Sequence, residues 1–145
     1  MIKILSGRQY PENLIPYIDK AINSIDIVIY DWRFYPDEQG LNTQLFNNAI
    51  IRAINRKVEV RAIINNRILE IYLKKLKIKT KVLCNKGTTH AKVILIDRKI
   101  ACLGSHNFTK SGFNLNIELS CLIDSTENSD TIQRIIKFFN ALWQR

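Results

Sequence analysis

The alternation of strand and helix patterns constrains the fold of this chain more than any other feature. DIVIY (26–30) is a continuous apolar run, typical of a strand that is buried on both faces. TQLFNNAIIRAINR (43–56) repeats apolar side chains at helical spacing, and Asn42 or Thr43 can cap this amphipathic helix. VEVRAII (58–64) follows as another strand. This order of elements predicts an α/β protein.

The other elements follow from the same spacing rules. Strands are predicted over 2–5, 77–83, 92–97, 100–104 and 117–123, and helices over 11–23, over 68–73 and in the C-terminal apolar stripe. Strands alternating with helices, and then a run of adjacent strands, predict an α/β sandwich with a mixed, largely parallel sheet flanked by helices. A chain of 145 residues is expected to form a single domain, residues 1–145.

The stretch HAKVILIDRKIACLGSHNFT (90–109) holds both histidines of the chain and opens an apolar strand with two polar groups. Side chains alternate faces along a strand, so His90 and Lys92 are predicted to point the same way. Asp97 lies an odd number of residues from His90 and is predicted to face away from it. We therefore expect Asp97 to secure the strand through a salt bridge or hydrogen bond.

Gly104, Ser105 and Asn107 follow the next predicted strand. Glycine lets the backbone approach a ligand closely, while Ser105 and Asn107 can present hydroxyl and amide donors on one side. A lysine with such donors can hold the oxygens of a phosphoryl group, and a neutral imidazole can attack its phosphorus. The stretch thus indicates phosphoryl chemistry.

The pattern His90-x-Lys92-x4-Asp97-x6-Gly104-Ser105-x-Asn107 resembles the HKD signature of the phospholipase D superfamily. The continuation NFTKSGFNLNIE resembles the corresponding segment of the small, single-motif nuclease branch. The resemblance implies a phospholipase D-like α-β-α sandwich and phosphodiester cleavage through a phosphohistidine. It also implies a hydrogen bond from the nucleophilic histidine to a glutamate, which by position is Glu118. The implied catalytic set is His90, Lys92, Asp97, Ser105, Asn107 and Glu118.

The chain carries only one such motif. The implied mechanism needs two histidines, one to attack phosphorus and one to protonate the leaving oxygen. The resemblance therefore implies a twofold homodimer with one shared active site on the symmetry axis. No metal ion or other cofactor is implied, because lysine and charged histidine supply the electrostatic stabilisation. A zinc site built from Cys102, His106 and a third group is a weak alternative.

The net charge of +9 favours a polyanionic partner. A nucleic acid, DNA or RNA, is the expected substrate; an anionic phospholipid such as cardiolipin and non-catalytic nucleic-acid binding are the alternatives. Candidate substrate-binding residues are Trp32, Arg33, Lys86 and His106. The aromatic segment 32–35 fits base stacking or core packing equally well, and His106 fits a structural role better than a contact with substrate.

Cysteine content and hydropathy bear on location. The three cysteines are an odd number in mostly apolar surroundings, which favours reduced core thiols in a cytoplasmic protein. No apolar run approaches the roughly 20 residues that span a bilayer, so no stable membrane association is expected.

Overall fold

The computed structural model describes all residues from 1 to 145. Seven strands and five helices follow one another as β1 (Ile2–Ser6), α1 (Gln9–Lys20), β2 (Ser24–Val28), α2 (Asn42–Asn55), β3 (Glu59–Ile64), α3 (Arg67–Lys75), β4 (Lys79–Val82), β5 (Lys92–Ile96), β6 (Ile100–Gly104), α4 (Lys110–Asn114), β7 (Leu119–Asp124) and α5 (Ser125–Trp143). The predicted α/β class is confirmed.

The strands form one mixed sheet in the order β1-β7-β6-β5-β2-β3-β4. The expectation that it is largely parallel is wrong, because only β2–β3 and β3–β4 pair in parallel while the other four pairs are antiparallel. The reason lies in the connections. Helices α2 and α3 return the chain to a parallel neighbour, whereas β5 and β6 are joined by a tight turn that reverses it.

The two faces of the sheet are covered unequally. Helices α1 to α4 supply apolar side chains to a core of 26 buried residues on one face, including Leu14, Phe46, Leu73 and Phe113. On the other face α5 packs Ile132, Ile136 and Phe139 against β2, β3, β5, β6 and β7. Because one helix is narrower than the sheet, part of this second face stays open around β1, β7 and the end of β6.

Local hydrogen bonds explain where several helices begin. The side chains of Asn66, Thr109 and Asp124 cap α3, α4 and α5 by accepting a backbone N–H from the first turn. The predicted cap of α2 at Asn42 or Thr43 is wrong, since Leu41 occupies the cap position without a side-chain bond. Asn42 instead exchanges hydrogen bonds with Asn114 at the end of α4, a helix too short to show a sequence pattern.

Candidate active site

The ends of several strands bring the predicted site residues to one edge of the sheet. β2 runs antiparallel to β5, β5 to β6, and β6 to β7, so the end of β2, the start of β5, the end of β6 and the start of β7 meet there. The register places Lys92 opposite Gly104 and Gly104 opposite Ser120. The sheet thereby aligns segments that lie far apart in the sequence.

Gly104 allows this close approach. A Cβ atom at this position would lie 2.4 Å from the carbonyl oxygen of Leu119 and 2.4 Å from the hydroxyl of Ser120. Both neighbours belong to the paired strand β7 and have little room to move. Any larger residue would push β6 and β7 apart, and Ser105 would be displaced with them.

His90 and Lys92 form a pair at the start of β5. The Lys92 ammonium lies 3.1 Å from Nδ1 and 3.2 Å from Nε2 of His90. Ammonium only donates hydrogen bonds and a neutral imidazole has one accepting nitrogen, so at most one of these two contacts is a hydrogen bond. Partial burial lowers the pKa of Lys92, and the negative charge of Glu118 acts against that shift. The ammonium therefore lies against the exposed imidazole ring and places a positive charge beside it.

Ser105 and Asn107 are fixed by backbone groups of two other segments. The Ser105 hydroxyl accepts a hydrogen bond from the Leu119 N–H at 2.9 Å and donates one to the Leu119 carbonyl at 3.3 Å. Asn107 Oδ1 accepts from the Asp31 N–H at 3.0 Å. That bond leaves the Asn107 Nδ2 group free to donate to an anion.

Glu118 lies one residue before β7, half-buried, and accepts a hydrogen bond from Asn116 at 3.4 Å. The expected hydrogen bond between His90 and Glu118 is not formed in this structure, where the ring nitrogens of His90 contact the Lys92 ammonium instead. Glu118 acts at a distance instead, since its charge opposes the lowering of the Lys92 pKa.

Tyr30 is a site residue that sequence reasoning missed. Its ring centroid lies 5.2 Å from that of His90, and the Lys92 ammonium lies 5.7 Å from the same tyrosine ring. Tyr30 follows β2 and ends the apolar run DIVIY, so its position indicated an ordinary core residue. Its exposed fraction of 38% places it at the surface instead.

Trp32 and His106 were predicted to contact substrate, and their burial shows that this prediction is wrong. Trp32 is only 3% exposed, and its indole N–H donates to Asn47 at 2.8 Å.

His106 is completely buried, beside Tyr10. It donates from Nε2 to the Gly7 carbonyl at 3.1 Å, so its Nδ1 accepts from the Ser120 hydroxyl at 2.7 Å. Burial lowers the pKa of His106. Both side chains serve packing and cannot touch a substrate.

The other two candidate substrate contacts are exposed. Arg33 lies at the site edge, where its guanidinium pairs with Asp31 at 3.2 Å. The backbone of Arg33 donates to Phe108 and that of Phe108 to Asp31, which ties this segment to Asn107. Lys86 lies in the loop before His90 and shares with it the lining of one cavity.

Asp97 lies at the opposite end of β5 from His90, so its grouping with the catalytic residues is corrected. Its carboxylate accepts the backbone N–H groups of Ile22, Asn23 and Ser24 at 2.7 to 3.0 Å. Asp97 and Arg98 adopt positive φ angles of 51° and 55°, as a type I′ hairpin turn requires. The expected role in securing the strand is the one that the contacts support.

Asp97→Asn should lower the free energy of unfolding by about 1–3 kcal/mol, because hydrogen bonds to a charged acceptor are lost while asparagine still tolerates the positive φ. Urea unfolding measures this loss. Partial burial would raise the pKa of Asp97, but the three backbone N–H groups outweigh it and lower the pKa. The stabilisation is therefore present above the unfolded pKa of about 3.9 and is lost as pH falls through the lower folded value.

The matched control is Asp130→Asn, which changes an exposed carboxylate on α5. Unchanged stability in Asp97→Asn, or a loss of activity per folded molecule as large as that of a site variant, would contradict this role.

Cys102 and His106 do not form a metal site. No group of three or more His, Cys, Asp or Glu side chains converges in a way that could hold a metal ion. None of the helices combines the length and the apolar character needed to cross a membrane.

The comparison with protein families agrees with the geometry of this edge. The family described as cardiolipin synthase, PLD-like domain matches residues 14–143. The chain therefore belongs to this family, within the phospholipase D superfamily.

Individual relatives extend the comparison. Phospholipase D from Rickettsia prowazekii is 31% identical over 124 residues, which cover 81% of this chain and 56% of that protein. The chain thus spans little more than half of that relative. Two solved structures match over almost their whole length: Nuc from Salmonella typhimurium, a phospholipase D family member (TM-score 0.78, 22% identity, 99% of this chain and 95% of Nuc), and NucT from Helicobacter pylori (TM-score 0.75, 26% identity, 99% and 97%).

Proposed function

We propose that residues 1–145 form one phosphodiesterase domain that cleaves nucleic-acid phosphodiester bonds without a metal ion, through a phosphohistidine, in a homodimer with one shared active site. The observation that carries this proposal is the contact between His90 and Lys92 at an open sheet edge, 3.1 Å apart. It pairs the proposed nucleophile with a cation at the end of the sheet to which Asn107 also belongs. A net charge of +9 favours a polyanionic substrate.

His90 attacks phosphorus with its unprotonated ring nitrogen when Lys92 turns to the substrate, forming a P–N bond as the P–O bond to the leaving group breaks. Lys92 and Asn107 stabilise the charge on the non-bridging oxygens, which grows in the transition state, and Ser105 does the same once its hydroxyl proton turns from the Leu119 carbonyl to the substrate. The leaving oxygen takes a proton from His90 of the second copy. That imidazole, now neutral, removes a proton from water, whose oxygen attacks phosphorus and breaks the P–N bond. One His90 must be neutral and the other protonated, so the rate should follow a bell-shaped pH profile.

We assign the proton donor to a second copy because no other histidine within residues 1–145 is accessible. The sequence contains two histidines, and His106 is buried in hydrogen bonds to Gly7 and Ser120. This burial supports the shared site that the single motif implies.

The open part of the sheet face beside α5 is the surface that we assign to the second copy. The register places Ile4, Cys121 and Leu103 side by side there. Leu119 lies two residues before Cys121 in β7 and points to the same face. Ile4 and Leu119 are more than half exposed, and Ile117 in the preceding loop is fully exposed. Exposed apolar side chains grouped on one sheet face favour an association site. We call Ile4, Leu103, Ile117 and Leu119 the apolar face.

The apolar face reaches the end of the sheet that carries the site, because Leu103 and Val93 are paired one residue from Gly104 and Lys92, although their side chains point to the face opposite Lys92. A second copy that docks there about a twofold axis can bring its own His90 towards this one. The same contact would therefore bury the apolar side chains and complete the site.

A phospholipase is the second candidate. The named relatives of similar sequence are phospholipases D, and the matching family is described as cardiolipin synthase. Helix α3 also exposes Ile68 and Ile71 beside Arg67, Lys74 and Lys75, a combination that suits an anionic lipid surface.

A substrate panel in EDTA separates these functions. Labelled single- and double-stranded DNA, RNA and cardiolipin vesicles are incubated with the protein and with His90→Ala. We expect EDTA-resistant cleavage of nucleic acid that the variant lacks. Cleavage of lipid alone would show that the protein is a phospholipase. Binding of nucleic acid without cleavage would show that it is a non-catalytic nucleic-acid-binding protein. Nucleic-acid cleavage that EDTA abolishes would contradict the metal-independent mechanism.

All three cysteines are free thiols, but the expectation that they are core thiols is correct only for Cys102, because Cys84 is exposed and Cys121 is half-buried. They support our further proposal of a reducing, cytoplasmic environment.

A further inference from the structure

A cavity of about 500 Å³ opens beside His90, between the loop of residues 84–91 and the C-terminal half of α5. Its size lies within the range of small-ligand sites, roughly 300–1,000 Å³. His90 itself forms part of the lining, so a group bound in the cavity lies next to the reacting atom.

The lining combines an apolar wall with a polar, cationic one. Phe138, Leu142 and Leu83 supply the apolar side, whereas Lys86, Asn85 and Arg145 supply polar and positive groups. Phe138 is 42% exposed, although its neighbour Phe139 is buried under Arg61. An aromatic ring left half-open above a cavity is available to stack on a ligand.

The cavity is ordered by hydrogen bonds at its His90 end. The Thr89 N–H donates to Asn65 at 3.0 Å, and the Thr89 hydroxyl donates to the Leu83 carbonyl. These bonds fix the loop beside the nucleophile, while Lys86 remains exposed further along it. Gly87 supplies the positive φ of 104° that turns the loop back.

We propose that this cavity binds the nucleoside next to the scissile phosphate, with the base against Phe138 and the neighbouring phosphate beside Lys86. A nucleobase matches the lining because its faces are apolar and its edges are polar. This inference rests on the proposed function and adds a subsite that contacts the nucleoside as well as the phosphates.

Two small esters with the same leaving group test the subsite: thymidine 5′-(p-nitrophenyl) phosphate and methyl p-nitrophenyl phosphate. Phe138→Ala should lower the ratio of their kcat/KM values by about five- to a hundredfold, because stacking on the base is lost. Phe138→Tyr keeps an aromatic ring and should retain the ratio. The matched control is Ile22→Ala, an exposed apolar residue beside the Asp97 end of the sheet.

The two esters also distinguish a failure of the proposed function from a failure of the subsite proposal. If the unaltered protein hydrolyses neither ester in EDTA, the proposed function fails. If it hydrolyses both and Phe138→Ala leaves the ratio unchanged or slows the two alike, only the subsite is overturned.

Lys86→Gln gives a second test that needs no change in the apolar wall. A dinucleotide p-nitrophenyl ester carries one more phosphate than the thymidine ester. When log K for binding of this ester is plotted against log salt concentration, the slope should be shallower by about one unit in the variant. Lys99→Gln, an exposed lysine at the opposite end of β5, is the control. Equal salt dependence in Lys86→Gln and the unaltered protein would overturn the assignment of Lys86.

Discussion

Replacing His90 with alanine should lower kcat for nucleic-acid cleavage by on the order of 10⁴-fold or more, because both the attacking nitrogen and the proton donor are lost from the shared site. The rate is measured in EDTA on the substrate that the panel identifies. The exposed His90 ring makes no hydrogen bond except with Lys92, so the variant should fold normally. Its circular dichroism spectrum and its unfolding midpoint provide the control for folding.

Lys92→Met tests the electrostatic part of the same site. Loss of the ammonium should lower kcat by on the order of 10²–10³-fold, as expected for a donor aimed at developing negative charge. Lys99→Met removes an exposed lysine from the turn at the far end of β5 and should leave the rate unchanged. Equal effects of the two lysine variants, or a fully active His90→Ala protein, would contradict the assignment of the site.

A charged residue on the apolar face should abolish both dimerisation and cleavage. Ile4→Asp places a carboxylate on β1, two strands away from β6 and outside the site. A twofold contact would bury the introduced carboxylate twice, once in each copy. If burial costs about 3 kcal/mol per carboxylate, the dissociation constant should rise on the order of 10⁴-fold. Analytical ultracentrifugation measures the dimer, and the cleavage assay measures activity on the same samples.

Ile71→Asp is the matched control, because Ile71 and Ile4 are similarly exposed, at 60% and 56%, but Ile71 lies on α3. We expect this control to remain dimeric and active as a nuclease. An Ile4→Asp protein that is monomeric and fully active would overturn the shared site. One that remains dimeric and active would place the interface elsewhere.

The sequence predicts most elements of the fold because their side-chain spacing is regular. The strand over 100–104 is placed at its observed bounds, and the helix over 43–56 is displaced by one residue. The direction of strand pairing is a different matter, since it depends on whether each connection reverses the chain. Spacing within a strand carries no information about the partner, so the share of parallel pairing was overestimated.

The site shows the same division between local and non-local information. The motif around His90, Lys92 and Asn107 is local and fixed by spacing; the structure pairs His90 with Lys92 and places Asn107 after β6, whose last residue Gly104 pairs with Lys92. Burial of Trp32 and His106 depends on Asn47, Gly7 and Ser120, which are distant in the sequence. The proximity of Tyr30 to His90 likewise arises only when β2 pairs with β5.

Mixing active and inactive chains tests the central claim, one active site built from His90 of two copies. Unaltered and His90→Ala chains are combined at varied ratios, unfolded and refolded together, and assayed at constant total protein. Hybrid dimers lack one of the two histidines, so activity should fall with the square of the unaltered fraction, to about a quarter in an equal mixture. A linear decline, with half the activity in an equal mixture, would mean that each chain works alone and would contradict the account.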